Sequence, residues 1–134
     1  MREFDFIAIG GGSGGIATMN RASEYGAKTA VIESNLLGGT CVNIGCVPKK
    51  IMWYAAEVKD AITKYGPDYG FTSSETTFDF ATLLKNREAY IDRSRNSYGA
   101  GFERRGVEVI NGHAKFIDNQ TVEVNGEKIR SKHI

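Results

Sequence analysis

The chain is 134 residues long, about one domain. With 41% hydrophobic and 25% charged residues it reads as an ordinary folded protein, and 17 basic against 16 acidic residues leave a net charge of +1. That balance gives no electrostatic footprint for nucleic acid or an anionic membrane, and the composition excludes collagen, a disulfide-dense scaffold and a charged tail protein. Sixteen glycines beside two prolines exceed the usual glycine share of about 7% and mark special backbone positions.

In chain order, residues 4–9 (FDFIAI) read as a short buried strand running into GGGSGG. Ile16, Met19 and Ala22/Ser23 then recur at helical spacing until Gly26, and residues 28–33 (KTAVIE) form a second strand. Strand, glycine turn, helix and strand within about 30 residues make one βαβ unit with a parallel pair. A second helix is expected over 47–64, with Ile51, Ala55, Val58 and Ile62 on one face and Tyr65-Gly66-Pro67 as its stop. Residues 66–77 read as a polar surface loop. Asp79 opens a long helix whose face carries Phe80, Leu83/Leu84, Arg87, Ile91, Ser94 and Tyr98, and Gly99, Gly101 and Gly106 are expected to break it. Beyond Gly106 the period changes to two: 107–110, 114–117, 121–124 and 128–130 are strand-like, with Asn125-Gly126 as a hairpin turn. The expected fold is α/β, Rossmann-like, with parallel strands, long helices and a C-terminal antiparallel meander.

No stretch approaches the ~20 apolar residues of a bilayer span, and the opening apolar run is too short for a signal-peptide core. A cytoplasmic location is expected. In a reducing compartment, cysteines as close as Cys41 and Cys46 point to catalysis or metal binding rather than a structural staple. C-x₄-C lacks the second ligand pair of a zinc site, and the two histidines near the far end do not complete one, so no metal is expected.

The first motif is Gly10-x-Gly12-x-x-Gly15. It follows a strand, opens a helix and is followed by Glu33 at the end of the next strand, the context that a dinucleotide fingerprint requires. Gly10 permits the turn, Gly12 lets a diphosphate approach the backbone and Gly15 lets helix and strand pack. The diphosphate rests on the helix N-terminus around Ser13 and Gly14. Glu33 accepts from an adenosine ribose and repels a 2′-phosphate, so the dinucleotide of this unit is FAD or NAD(H).

The second motif is GGTCVNIGCVPKK, residues 38–50. In an ideal helix residues five apart lie ~8–9 Å apart, whereas a disulfide needs Cα atoms within ~4.4–6.8 Å. The segment is therefore expected to be distorted between the cysteines, at Gly45. A helix N-terminus with Lys49 and Lys50 close by favours a thiolate.

Together IGGGSGG and GGTCVNIGCVPKK resemble the flavin disulfide oxidoreductases, a likeness that extends over essentially all 134 residues, including YGPDYGF at 65–71 and GHAKF at 112–116. Lipoamide dehydrogenases and mercuric reductases share a similar cysteine segment but typically continue with Pro-Ser-Lys. Here Pro48-Lys49-Lys50 resembles the glutathione-reducing branch. That resemblance implies an N-terminal, truncated part (residues 1–134) of an FAD-binding domain in a homodimeric enzyme that reduces glutathione disulfide with NADPH. It implies a redox disulfide in which Cys46 is the sulfur near the flavin and Cys41 the interchange thiol. Lys49 would lie near the flavin ring, Gly39 and Thr40 along its diphosphate and ribityl chain, and His113 and Ala114 against its adenine. Ser13, Arg21 and Tyr98 match positions of the disulfide-substrate cleft. Asn20 stands where relatives carry arginine, and neutral Ala17 goes with glutathione rather than trypanothione. The NADPH-binding and dimerisation domains, with the family's catalytic histidine and its carboxylate partner, are not in these residues, and neither His113 nor His133 has the matching context. A related reductase for another thiol, lipoamide included, and a dinucleotide-binding piece without turnover are the alternatives.

Overall fold

Two apolar runs and the helix between them set the frame. In the computed structural model, which describes residues 1–72 and 75–134, β1 (Arg2–Ile9) passes through the glycine turn into α1 (Ser13–Glu24). β2 (Thr29–Glu33) returns parallel to β1, with Ile7 opposite Ala30 and Ile9 opposite Ile32. Then come α2 (Gly39–Asn43), α3 (Cys46–Asp60), a π-helical turn (Ala61–Tyr65), a 3₁₀ turn (Gly66–Tyr69) and the long α4 (Phe80–Arg105). β3 (Glu108–Asn111), β4 (Lys115–Asp118), β5 (Thr121–Val124) and β6 (Glu127–His133) complete the order.

One sheet holds all six of these strands in the order β3-β2-β1-β6-β5-β4. β3 is parallel to β2 and β6 to β1, while β4, β5 and β6 form an antiparallel meander. The expected α/β architecture is the observed one. Asn125 and Gly126 both take positive φ, 51° and 81°, the two-residue turn that suits the twist of a hairpin.

The sheet has a core on each side. Ala30 and Ile32 of β2 point to one face, with Phe4, Ile7, Val122, Val124 and Ile129. Val31, between them, points to the other, where Ile16 and Met19 of α1 and Phe102 of α4 cover it. Thus α1 is fixed against the sheet by two fully or nearly buried side chains, and the glycine turn at its start is held with it.

Several expectations change. The second helix ends at Asp60 rather than Lys64, and residues 61–65 widen into the π turn. No residue of α3 is buried, and Val58 and Ile62 of its expected inner face are 58% and 40% exposed, because α3 packs on α4 and not on the sheet. The loop expected over 66–77 begins with the 3₁₀ turn, and its Ser73 and Ser74 lie outside the described residues. Gly99 and Gly101 do not break α4, which accommodates both in helical conformation and stops at Gly106, φ 68°, where a left-handed cap is required. Among the described residues no helix is long and apolar enough to cross a membrane.

Candidate active site

The site forms where two glycine turns meet at the C-terminal ends of β1 and β2. The first turn is fixed by Gly10 N–H donating to the Ile32 carbonyl at 2.7 Å. A Cβ on Gly15 would lie 1.9 Å from the Gly10 carbonyl oxygen, so helix and turn touch backbone to backbone. α1 begins at Ser13, and Ile16 N–H is already bonded to the Gly12 carbonyl at 2.9 Å. The N–H groups of Ser13, Gly14 and Gly15, in the first turn of the helix, are those left without an intrahelical partner. Gly14 has nothing within 4 Å of a notional Cβ, so its side of the turn is open.

The second turn, Gly38-Gly39, docks on the first. Gly38 N–H donates to the Gly11 carbonyl at 2.8 Å. A Cβ on Gly39, whose φ is 60°, would lie 2.8 Å from the Gly12 Cα. Glu33 joins the two: one carboxylate oxygen accepts from Gly11 N–H at 2.7 Å and the other from Asn35 N–H at 2.8 Å. Gly112 N–H donates to the Glu33 carbonyl at 2.9 Å, which brings His113 and Ala114 to the end of β2. Beside these turns a cleft of about 280 Å³ is lined by Glu33, Asn35, Gly39, Thr40, Asn43 and Ile44.

The cysteine segment is two helices rather than one. α2 ends at Asn43, and Gly45, with φ −123° and ψ −112°, turns the chain into α3. A Cβ there would lie 2.8 Å from the Thr40 carbonyl oxygen. This break returns Cys46, the first residue of α3, to Cys41 in α2, as the spacing argument requires. Both cysteines are free thiols, Cys41 half-buried and Cys46 exposed. The hydrogen bond with Cys46 raises the Cys41 thiol above its ordinary pKa, partial burial adds to the rise, and the Ser13 hydroxyl opposes it. Lys49 lies in the first turn of α3, its N–H bonded to the Gly45 carbonyl at 3.0 Å, and its side chain is exposed.

Ser13 therefore meets Cys41, and Tyr98 packs against the α1 side of the core. Arg21 stands apart. Eight residues beyond Ser13 on α1, about 12 Å along the axis, it pairs with Glu24 at 3.0 Å and lies over the Tyr25 ring at 5.3 Å. His133 sits in β6 edge-on to Phe6, and His113 is exposed. Among the described residues no hydrogen bond or ring contact joins either histidine to the cysteines.

Two residues of the site escaped the sequence reading. Asn43 Nδ2 donates to the carbonyls of Gly39 at 2.9 Å and Leu37 at 3.1 Å, and Arg95 of α4 donates to Asn43 Oδ1 at 2.9 Å. Position between the cysteines is the only signal Asn43 carries, and Arg95 lies 52 residues away with none.

The backbone cradle fits a dinucleotide diphosphate, since the first-turn N–H groups of α1 lack intrahelical partners and the space beside Gly14 is open, and the half-buried Glu33 keeps unused lone pairs for hydroxyl donors. The chain matches the family described as pyridine nucleotide-disulphide oxidoreductase over residues 4–134. It is also 42% identical over 132 residues to a glutathione reductase of Debaryomyces hansenii, a match that covers 92% of this chain and 27% of that protein. The chain thus spans about a quarter of the length of that relative. A glycine cradle welded to a cysteine pair and this match across nearly every residue place the chain in the pyridine nucleotide-disulphide oxidoreductase family.

Proposed function

We propose that these residues are the FAD- and dithiol-bearing part of a flavoprotein that reduces glutathione disulfide with NADPH, acting as a homodimer. The observation that carries the reading is the close approach of Gly39 to Gly12, which ties the cysteine segment to the nucleotide cradle. The relative named above, a glutathione reductase, favours glutathione disulfide over lipoamide.

On this reading Gly10 shapes the turn, the N–H groups of Gly12, Ser13, Gly14 and Gly15 hold the diphosphate, and Glu33 holds the ribose. Gly39 and Thr40 hold the inner part of the cofactor, and His113 and Ala114 border the adenine. Bound FAD supplies the two-electron link between a nicotinamide donor and the cysteine pair. Cys46, exposed at the positive end of α3 beside Lys49, is the sulfur facing the cofactor. Cys41 attacks glutathione disulfide as a thiolate, breaking one S–S bond, forming a mixed disulfide and releasing one glutathione. Cys46 then attacks the Cys41 sulfur, releasing the second glutathione and closing Cys41–Cys46. Because its raised pKa keeps Cys41 protonated near neutrality, attack requires a base to take that proton. No histidine of these residues is tied to it, so the base is assigned to the remainder of the enzyme. Ser13 and Tyr98 border the peptide substrate, and Arg21, further along α1, reaches a substrate carboxylate by exchanging its Glu24 partner.

Steady-state assays of the full-length protein with NADPH and glutathione disulfide, trypanothione or lipoamide test the reading. Glutathione disulfide is the expected preferred substrate, and Cys46→Ser abolishes turnover. A preference for lipoamide, or a purified protein free of flavin, overturns it.

A further inference from the structure

Asn43 lies between the two cysteines and holds the turn that precedes them. Carbonyl oxygens accept only from its Nδ2, and a guanidinium donates only to its Oδ1. The contacts to Gly39 and Leu37 on one side and to Arg95 on the other therefore fix the amide in a single orientation. Arg95 is in turn paired with Asp92 one turn earlier on α4, and its side chain is 26% exposed. A continuous line of donors and acceptors runs from α4 to the glycine turn and passes through the last residue of α2. α3 has no buried residue to fix it independently.

We infer that Arg95 is a positioning residue which, through Asn43, sets the dithiol–disulfide equilibrium of Cys41 and Cys46; the inference rests on reading that pair as the redox couple. A disulfide demands a narrow range of Cα separation and sulfur alignment, whereas two thiols demand none. The clamp is made while both cysteines are free thiols, so it restricts the open state to positions near those that close. Proximity established before reaction favours ring closure over release. Removing the guanidinium lets α2 move against α4 and shifts the balance toward the dithiol.

The equilibrium to measure is balanced. One cysteine thiolate attacks glutathione disulfide and releases glutathione, and the second attacks the mixed disulfide and releases another. Two protons leave the cysteines, which lose two electrons to the glutathione disulfide. The full-length holoprotein is equilibrated without oxygen in glutathione buffers, acid-quenched and tagged with maleimide, and the disulfide fraction is read by mass. Arg95→Ala is expected to lower the disulfide-to-dithiol ratio about tenfold, as the open pair loses the preset proximity that the clamp imposes in both states, or about 30 mV for a two-electron couple. Arg95→Lys, which keeps a donor for Asn43, recovers most of that ratio. Ile91→Val, which thins a buried contact of the same helix, leaves it unchanged with flavin content intact. A ratio within twofold of wild type in Arg95→Ala, an equal shift in Ile91→Val, or no recovery in Arg95→Lys overturns the inference and leaves the proposed function standing. A wild-type pair that never closes an intramolecular disulfide overturns both.

Discussion

Gly15→Ala sets helix propensity against packing. Gly15 is not in left-handed conformation, and at an exposed helical position alanine is favoured over glycine by about 0.8–1 kcal/mol. Here the added Cβ lies 1.9 Å from the Gly10 carbonyl oxygen, 3.1 Å from its carbon and 3.5 Å from Ala8 Cβ. Ordinary contact starts at 3.4 Å, so roughly 1.5 Å of separation is missing. The obstacle is backbone, held in place by the Gly10–Ile32 hydrogen bond, and it cannot rotate away as a side chain would. Overpacking of a tight site costs about 1–3 kcal/mol, and a backbone obstacle belongs at the top of that range or above it. After the propensity gain the expected net loss is about 2–3 kcal/mol, roughly 6–12 °C in Tm for a domain of this size. Gly99→Ala serves as the control, with open space around its Cβ inside α4 and an expected gain of about 0.5–1 kcal/mol. Thermal unfolding by circular dichroism, with release of flavin fluorescence as a second readout, measures both. Gly15→Ala matching or exceeding wild-type stability would refute the packing argument.

Glu33→Ala removes the acceptor shared by Gly11 and Asn35 and is expected to destabilise by about 1–3 kcal/mol, with weaker flavin retention, by urea titration and flavin content. Alkylation rate against pH follows Cys41 directly. Cys46→Ala removes the largest cause of its raised pKa, so the midpoint falls, whereas Ser13→Ala removes an opposing hydrogen bond, so it rises. Equal midpoints in the two variants would contradict the assignment of causes. Lys132 holds the Asp5 carboxyl below its ordinary pKa of 3.8 and is itself held above its ordinary 10.5. The Asp5 contribution is present above pH 3.8 and lost as pH falls through its depressed value, and the Lys132 contribution is present below pH 10.5 and lost as pH rises through its elevated value. The small stability advantage over Lys132→Met should thus be flat near neutrality and vanish at both extremes in pH-resolved denaturation.

Local signals account for what the sequence made legible. The short apolar run in 28–33 and the glycines that follow 4–9 are short-range patterns, and they located β1 and β2 within two residues of the observed bounds, with α1 between them. Helix arithmetic alone required a break between Cys41 and Cys46, and Gly45 supplies it. Periodicity misled in α3, because Val58 and Ile62 lie on an apolar stripe without a neighbour to cover them. Glycine propensity misled in α4, where packing of Ile91 and Phe102 carries the helix past Gly99 and Gly101. What stayed hidden is long-range in sequence: the parallel pairing of β6 with β1, the docking of Gly39 on Gly12, and the reach of Arg95 to Asn43.

That docking also joins the glycine cradle and the cysteine segment. The two turns are joined by the Gly38–Gly11 hydrogen bond, by the touching backbones at Gly12 and Gly39, and by a carboxylate that bridges two N–H groups. Two of these links are backbone to backbone and the third is a carboxylate held at both oxygens, so a displacement of the first turn has little slack in which to dissipate before it reaches Thr40 and Cys41. Arg95 closes the same arrangement from the opposite side, through the amide that caps α2. A cysteine pair held this way owes its spacing to the fold of the cradle rather than to the sulfurs themselves, which is what the proposed exchange reaction requires of it.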